Sequence, residues 1–186
     1  MEARKSTWLI PSLGLTQIVG WGSMFYAYGI LMQPMQTDLQ LSKPVVVGAY
    51  SLALLISGLM STLAGSIIDR TGGRLLMGAG TVLAALMLAA MSFVHDALGL
   101  YLIWAVIGLA MSATLYQPAF AVLAQVFQAD FRRAITMLTL FGGFASTVAW
   151  PLTQCLLEQY GWRTTWQIYA VANLVICLPV HMLLPA

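Results

Sequence analysis

The segment GSIIDRTGGRLLMG, residues 65–78, gathers Asp69, Arg70 and Arg74 within six positions and adds Gly65, Gly72, Gly73 and Gly78. Opposite charges this close can pair with one another or with helix ends, and glycine lets the backbone turn. A second kind of chemistry lies in neutral hydrogen-bonding residues set inside apolar runs. Gln17, Trp21 and Tyr28 recur at i, i+4 and i+11, roughly one helical face. Tyr116 and Gln117 stand beside Pro118, which loosens a helix. Groups of these two kinds can hold a solute and latch helices, but they lack a nucleophile paired with a base. The plainer reading of each polar residue is helix packing, and of Trp and Tyr near a helix end an interfacial belt.

Other chemistries are excluded by what the chain lacks. Cys155 and Cys177 are isolated in apolar runs, and His95 and His181 are far apart in sequence. No spacing suited to a metal, a phosphate loop or a metalloprotease is present, so no metal and no cofactor are expected. GAGTVL (78–83) lacks the third glycine of a dinucleotide loop. A net charge of +2 without a basic stripe gives no footprint for nucleic acid.

The elements that position these residues follow from charge. Of 186 residues, 60% are hydrophobic and 8% charged, against about 25% charged in soluble domains. Fourteen ionisable side chains cannot cover a soluble surface, so lipid is the expected solvent. The uncharged gaps run 32, 25, 21, 33, 24 and 23 residues, and a helix needs about 20 apolar residues to cross a bilayer. Six spans are expected, at about 9–32, 46–68, 75–94, 98–123, 134–157 and 164–184. The runs do not alternate as barrel strands do, so the fold class is an all-α membrane protein.

With the N-terminus inside, the inner segments carry Arg4, Lys5, Arg70, Arg74, Arg132 and Arg133, and the outer ones only Lys43 and Arg163. That matches the positive-inside rule and places both termini in the cytoplasm, in a plasma or inner membrane. DRTGGR (69–74) and EQYGWR (158–163) share acid, Gly three later and Arg five later, 89 positions apart. They join spans 2 to 3 and 5 to 6, on opposite faces. Two three-helix repeats of inverted topology are therefore expected.

Gly65, Asp69, Arg70, Gly72 and Arg74, spelled G-x-x-x-D-R-x-G-x-R between spans 2 and 3, resemble the signature loop of the major facilitator superfamily. YGWR (160–163) before span 6 looks like that superfamily as well. The whole chain resembles the N-terminal six-helix half of a twelve-helix member. YGILMQPM and the stretch leading into DRTGGR are similar to the monocarboxylate-transporter-like branch, although the aromatic-acidic signature before span 1 is absent.

The resemblance implies transport of a small solute, such as a small organic acid, by alternating access. It implies that the loop of Asp69, Arg70 and Arg74 latches two halves on the cytoplasmic face. It also implies that spans 1 and 4 line the cavity, making Gln17, Trp21, Tyr28, Tyr116 and Gln117 the candidate lining. Ser57, Ser61 and Gly65 form a small-residue face suited to close helix approach. No acidic, Lys or Arg side chain falls within the six spans, and Trp104 replaces the arginine of the drug-antiporter pattern. The partners implied are the bilayer, a small-molecule solute, and either a missing C-terminal six-helix half or a second copy. Truncation is the favoured expectation. The alternative is a non-transporting membrane protein of assembly or signalling, and an enzyme is not expected.

Overall fold

The computed structural model describes the backbone of residues 2–184 and the side chains of residues 8–184, and among these there are helices and no strands. The side chains of Arg4 and Lys5, used in the orientation argument, lie outside the described residues. Helix α1 (Glu2–Trp21) passes through a π-helical turn (Gly22–Tyr26) into α2 (Ala27–Leu39). Gln40, at a left-handed φ of 54°, ends that run. Helix α3 (Lys43–Thr71) begins with Pro44 in its first turn, where the missing N–H is harmless. Gly72 turns the chain into α4 (Gly73–Ala90), which closes in a 3₁₀ turn (Met91–Phe93).

Asp96 opens α5 (Ala97–Thr114) by accepting the amide of Gly99 at 2.7 Å, an N-cap suited to a helix start. After a break at Leu115 come α6 (Tyr116–Val126), α7 (Phe131–Gly143) and α8 (Ala145–Ala172). A second π-helical turn (Asn173–Cys177) leads to α9 (Leu178–Met182). Within α8 the chain reverses at Gly161, whose φ of 76° and ψ of 167° are not helical. Thr153 and Tyr169, eight residues before and after Gly161, bring their hydroxyls to 2.6 Å, so the two legs lie side by side.

Among the described residues four stretches are long and apolar enough to cross a membrane: Lys43–Thr71, Gly73–Phe93, Ala97–Val126 and Phe131–Met182. The last holds 52 residues because it includes the reversal at Gly161. The run Glu2–Leu39 is not among the four. Gln17, Ser23, Tyr26 and Tyr28 dilute its apolar content, and these are the residues of chemical interest. Leu55, Leu59, Leu75, Phe93, Leu98 and Val175 are all exposed. Large apolar side chains turned outward along whole helices suit a hydrocarbon solvent.

Two buried clusters hold the helices together. One contains Met35, Leu88, Leu100, Trp104 and Trp166. The other contains Leu9, Leu13, Met77, Leu123, Leu138 and Leu184, toward the end where Gly72 turns. The closest backbone approach joins α3 to α5: a Cβ on Gly108 would stand 2.5 Å from the Ala53 carbonyl oxygen and 3.0 Å from its Cα. Only glycine leaves room there, as in membrane helix pairs generally. The second leg of α8 and α9 run antiparallel to α4. Ser92 meets Arg163 and Thr81 meets His181 along this pair.

Candidate functional site

The break at Leu115 has a local cause. Pro118 has no amide proton, and its ring excludes a helical bond to the carbonyl four residues earlier, which is that of Thr114. A freed carbonyl in an apolar interior needs a donor. Gln17 supplies it, donating from Nε2 to the Thr114 oxygen at 3.0 Å. The other end of the Gln17 amide accepts the indole N–H of Trp21 at 3.2 Å. Trp21 in turn packs on Tyr116, with ring centroids 5.0 Å apart, and Tyr116 stacks on Phe120 at 5.2 Å. Gly142 leaves the space that the Tyr116 hydroxyl occupies.

The candidates from α1 and the α5–α6 break thus assemble around one freed carbonyl. Gln17 is fully buried, Trp21 and Tyr116 are half-buried, and Gln117 is exposed beside them. Gln17 uses both ends of its amide within the protein, so its role here is to hold the break open and orient Trp21. The half-open ring faces are the part of this arrangement that a solute could touch.

Tyr28 does not join this group. It is buried, its hydroxyl donates to the Val46 carbonyl, and its ring stacks on Tyr50 at 4.5 Å and meets Trp104 edge-on at 4.6 Å. The π-helical turn at Gly22–Tyr26 lies between Trp21 and Tyr28. A wider turn changes the angular register, so a face counted at 3.6 residues per turn no longer continues past it. Phe25 and Tyr26 emerge beside Trp21 instead, with Phe25 at 5.2 Å from Trp21 and Tyr26 at 5.1 Å from Phe25. Trp150 of α8 then lies 6.1 Å from Tyr26. Phe25 and Trp150 escaped the sequence reading, and Tyr26 falls on another face at 3.6 residues per turn; the signal for Phe25 and Tyr26 was the aromatic density of GWGSMFYAY (20–28).

Asp69, Arg70 and Arg74 are exposed, and no ion pair involves them among the described residues. Gly72 holds φ 76° and ψ 167°, a region open essentially to glycine alone. Gly65 is half-buried with nothing within 4 Å of where a Cβ would stand, and Gly58, about two turns earlier, is equally open. Of the face of Ser57, Ser61 and Gly65, all three half-buried, Gly65 meets no neighbour among the described residues, while Ala53 makes the close approach of α3.

The opposite hairpin is fully engaged. Arg163 donates to the carbonyls of Ser92 at 2.8 Å and Val94 at 2.9 Å and pairs with Asp38 at 2.8 Å. Its guanidinium also lies 4.2 Å over the Trp162 ring. One arginine thereby ties together the ends of α2, of α4 with its 3₁₀ turn, and the turn at Gly161.

Two further polar pairs are buried between helices. Asn173 donates to Ser23 Oγ at 3.0 Å, joining the two π-helical turns. The Thr81 hydroxyl lies 2.8 Å from the Met77 carbonyl and 2.6 Å from His181 Nδ1, and among the described residues His181 Nε2 meets no hydrogen-bond partner. Trp104 is fully buried in the aromatic core. No group of His, Cys, Asp and Glu that could hold a metal occurs among the described residues.

Among the described residues the fold is helical with apolar outer faces and broken helices, the character of an integral membrane protein. The model of the Major Facilitator Superfamily matches residues 13–186, and the chain belongs to that superfamily. Its members are transporters rather than enzymes. No curated protein matches the chain.

Proposed function

We propose that the chain is one six-span half of a secondary transporter that carries a small organic solute by alternating access. The observation that carries this reading is a pair of turns. Gly72 and Gly161 share φ 76° and ψ 167°, each three residues after an acid and two before an arginine. Equal backbone geometry at equal offsets supports two three-span units of inverted topology, with spans near 9–32, 46–68, 75–94, 98–123, 134–157 and 164–184. The breaks add weight: the π-helical turn ending at Tyr26 and the interruption at Leu115 are again 89 positions apart. Broken helices at matching places are where transporters of this kind bind substrate.

In this reading Gln17, Trp21, Tyr116 and Gln117 border the central cavity, and Tyr28 supports it from behind. Gly65, Asp69, Arg70, Gly72 and Arg74 form the cytoplasmic latch. The open space beside Gly65 and the loop charges without an ion pair among the described residues support a partner for this side, either a second six-span unit or a second copy. The distribution of Lys and Arg favours cytoplasmic termini in an inner or plasma membrane. The likeness to the monocarboxylate-transporter-like branch concerns lineage and leaves the solute open.

The test is uptake into cells or proteoliposomes that contain the protein with its second unit. Asp69→Asn is expected to lower uptake at least tenfold at unchanged membrane expression. Uptake equal to the wild type would remove the latch, and absence of any uptake by the wild type would favour an assembly or signalling role.

A further inference from the structure

The aromatic face that begins at Trp21 is larger than the hydrogen-bonded group at Gln17 needs. It continues through Phe25 and Tyr26 to Trp150, each ring set edge-to-face on the last, at 66°, 75° and 87°. The rings are also open, unlike those of the buried core. Trp21, Phe25 and Tyr26 are half-buried and Trp150 is 53% exposed, whereas Trp104 and Trp166 are 0% exposed. We infer that this wall is the recognition surface for an organic cation of the quaternary-ammonium class, received in the corner between Tyr26 and Trp150. The inference rests on the transporter reading above and gives that site its substrate class.

Three observations converge on a cation. Aromatic faces carry negative potential and attract ammonium groups lying over them. Tyr26 and Trp150 stand nearly perpendicular with centroids 6.1 Å apart, so one rounded cation can touch two rings at once. No Lys or Arg lies within the helices that carry the wall at this depth, since the nearest charges along the chain are Asp38, Arg133 and Glu158. A carboxylate would lose its hydration here without meeting a countercharge from these helices, which is costly in an apolar site. A quaternary ammonium has no hydrogen-bond donor to satisfy and gains the ring faces.

Depth separates this wall from an interfacial belt. Tyr26 lies twelve residues before Asp38, and Trp150 eight before Glu158. At about 1.5 Å per residue the rings sit about 12–18 Å from those charges, well inside a core about 30 Å thick. Belt aromatics lie at the headgroups. An indole N–H turned to lipid at this depth would lack a partner, so a cavity is the neighbour that suits Trp150.

The experiment titrates the purified protein in nanodiscs with choline, tetraethylammonium, lactate and dimethylbutanol, the uncharged carbon isostere of choline, by calorimetry. Choline or tetraethylammonium is expected to saturate, and dimethylbutanol to bind at least tenfold more weakly. Trp150→Leu and, separately, Tyr26→Leu are expected to weaken cation binding about tenfold, and Trp150→Phe to keep most of it. Thermal melts confirm that each variant is folded. Cation binding that ignores both leucine variants, equal binding of the neutral isostere, or no cation binding overturns the inference. Lactate uptake by proteoliposomes without cation binding overturns it while leaving the transporter reading intact. Aromatic-dependent cation binding without uptake of any probe supports the wall and overturns the transporter reading instead.

Discussion

Gln17 and Thr114, 97 positions apart, meet through a single hydrogen bond of 3.0 Å at the place where Pro118 breaks the run from Ala97 to Val126. The proline creates an unsatisfied carbonyl and the glutamine resolves it. The same amide then fixes the indole of Trp21. Local sequence chemistry in one helix thus sets the position of an aromatic ring on another.

Gln17→Leu removes both bonds and strands a buried carbonyl. Such a loss costs about 1–3 kcal/mol. We expect a lowered melting temperature and at least a tenfold loss of uptake. Pro118→Ala in the same background should recover much of the stability, because the helix can then satisfy Thr114 itself. A Gln17→Leu protein as stable as the wild type would contradict this coupling.

Glycine contacts give a paired test of packing. At Gly108 a Cβ meets Ala53 backbone atoms, whereas at Gly58 nothing lies within 4 Å. Gly108→Ala should destabilise by about 1–3 kcal/mol through overpacking. Gly58→Ala should be neutral or stabilise by up to about 1 kcal/mol through helix propensity. Unfolding titrations in mixed micelles compare the two.

Arg163 and Asp38 should be unequal partners. Asp38→Asn weakens a half-exposed pair and should change stability by less than about 1 kcal/mol. Arg163→Ala also strips the Ser92 and Val94 carbonyls of their donor and should cost about 1–3 kcal/mol. Arg163→Lys should fall between them. Equal effects of Asp38→Asn and Arg163→Ala would show that the carbonyl contacts carry no weight.

Gly161→Ala tests the turn alone, since no atom lies within 4 Å of the new Cβ. Holding alanine at φ 76° and ψ 167° should cost about 1–3 kcal/mol. Gly72→Ala should cost a similar amount, because its dihedral angles are the same. Thermal unfolding of both variants side by side measures this.

Much of the architecture was legible because charge cannot enter lipid: the uncharged gaps mark where helices run, and the glycines of DRTGGR and EQYGWR mark where they turn. Gln17, Trp21 and Tyr116 were legible as polar and aromatic residues set on regular helical spacing or beside a proline. Tyr28 was not, because the π-helical turn before it shifts the register that a fixed period assumes. The small face of Ser57, Ser61 and Gly65 predicts a close approach that the described chain makes at Ala53 and Gly108, since small side chains permit contact without choosing a partner. Arg163 drew attention for its charge and spacing, but its three-way tie to Asp38, Ser92 and Val94 joins positions too distant for any local pattern to reveal.

Sidedness of the two glycine turns tests the central claim most directly. With Cys155→Ala and Cys177→Ala as background, Thr71→Cys and Tyr160→Cys each place one thiol beside a turn, at exposed positions. A membrane-impermeant maleimide applied to intact cells should label position 160 at once and position 71 only after permeabilisation. Labelling of both thiols from the same side of the membrane would contradict an inverted pair of three-span units.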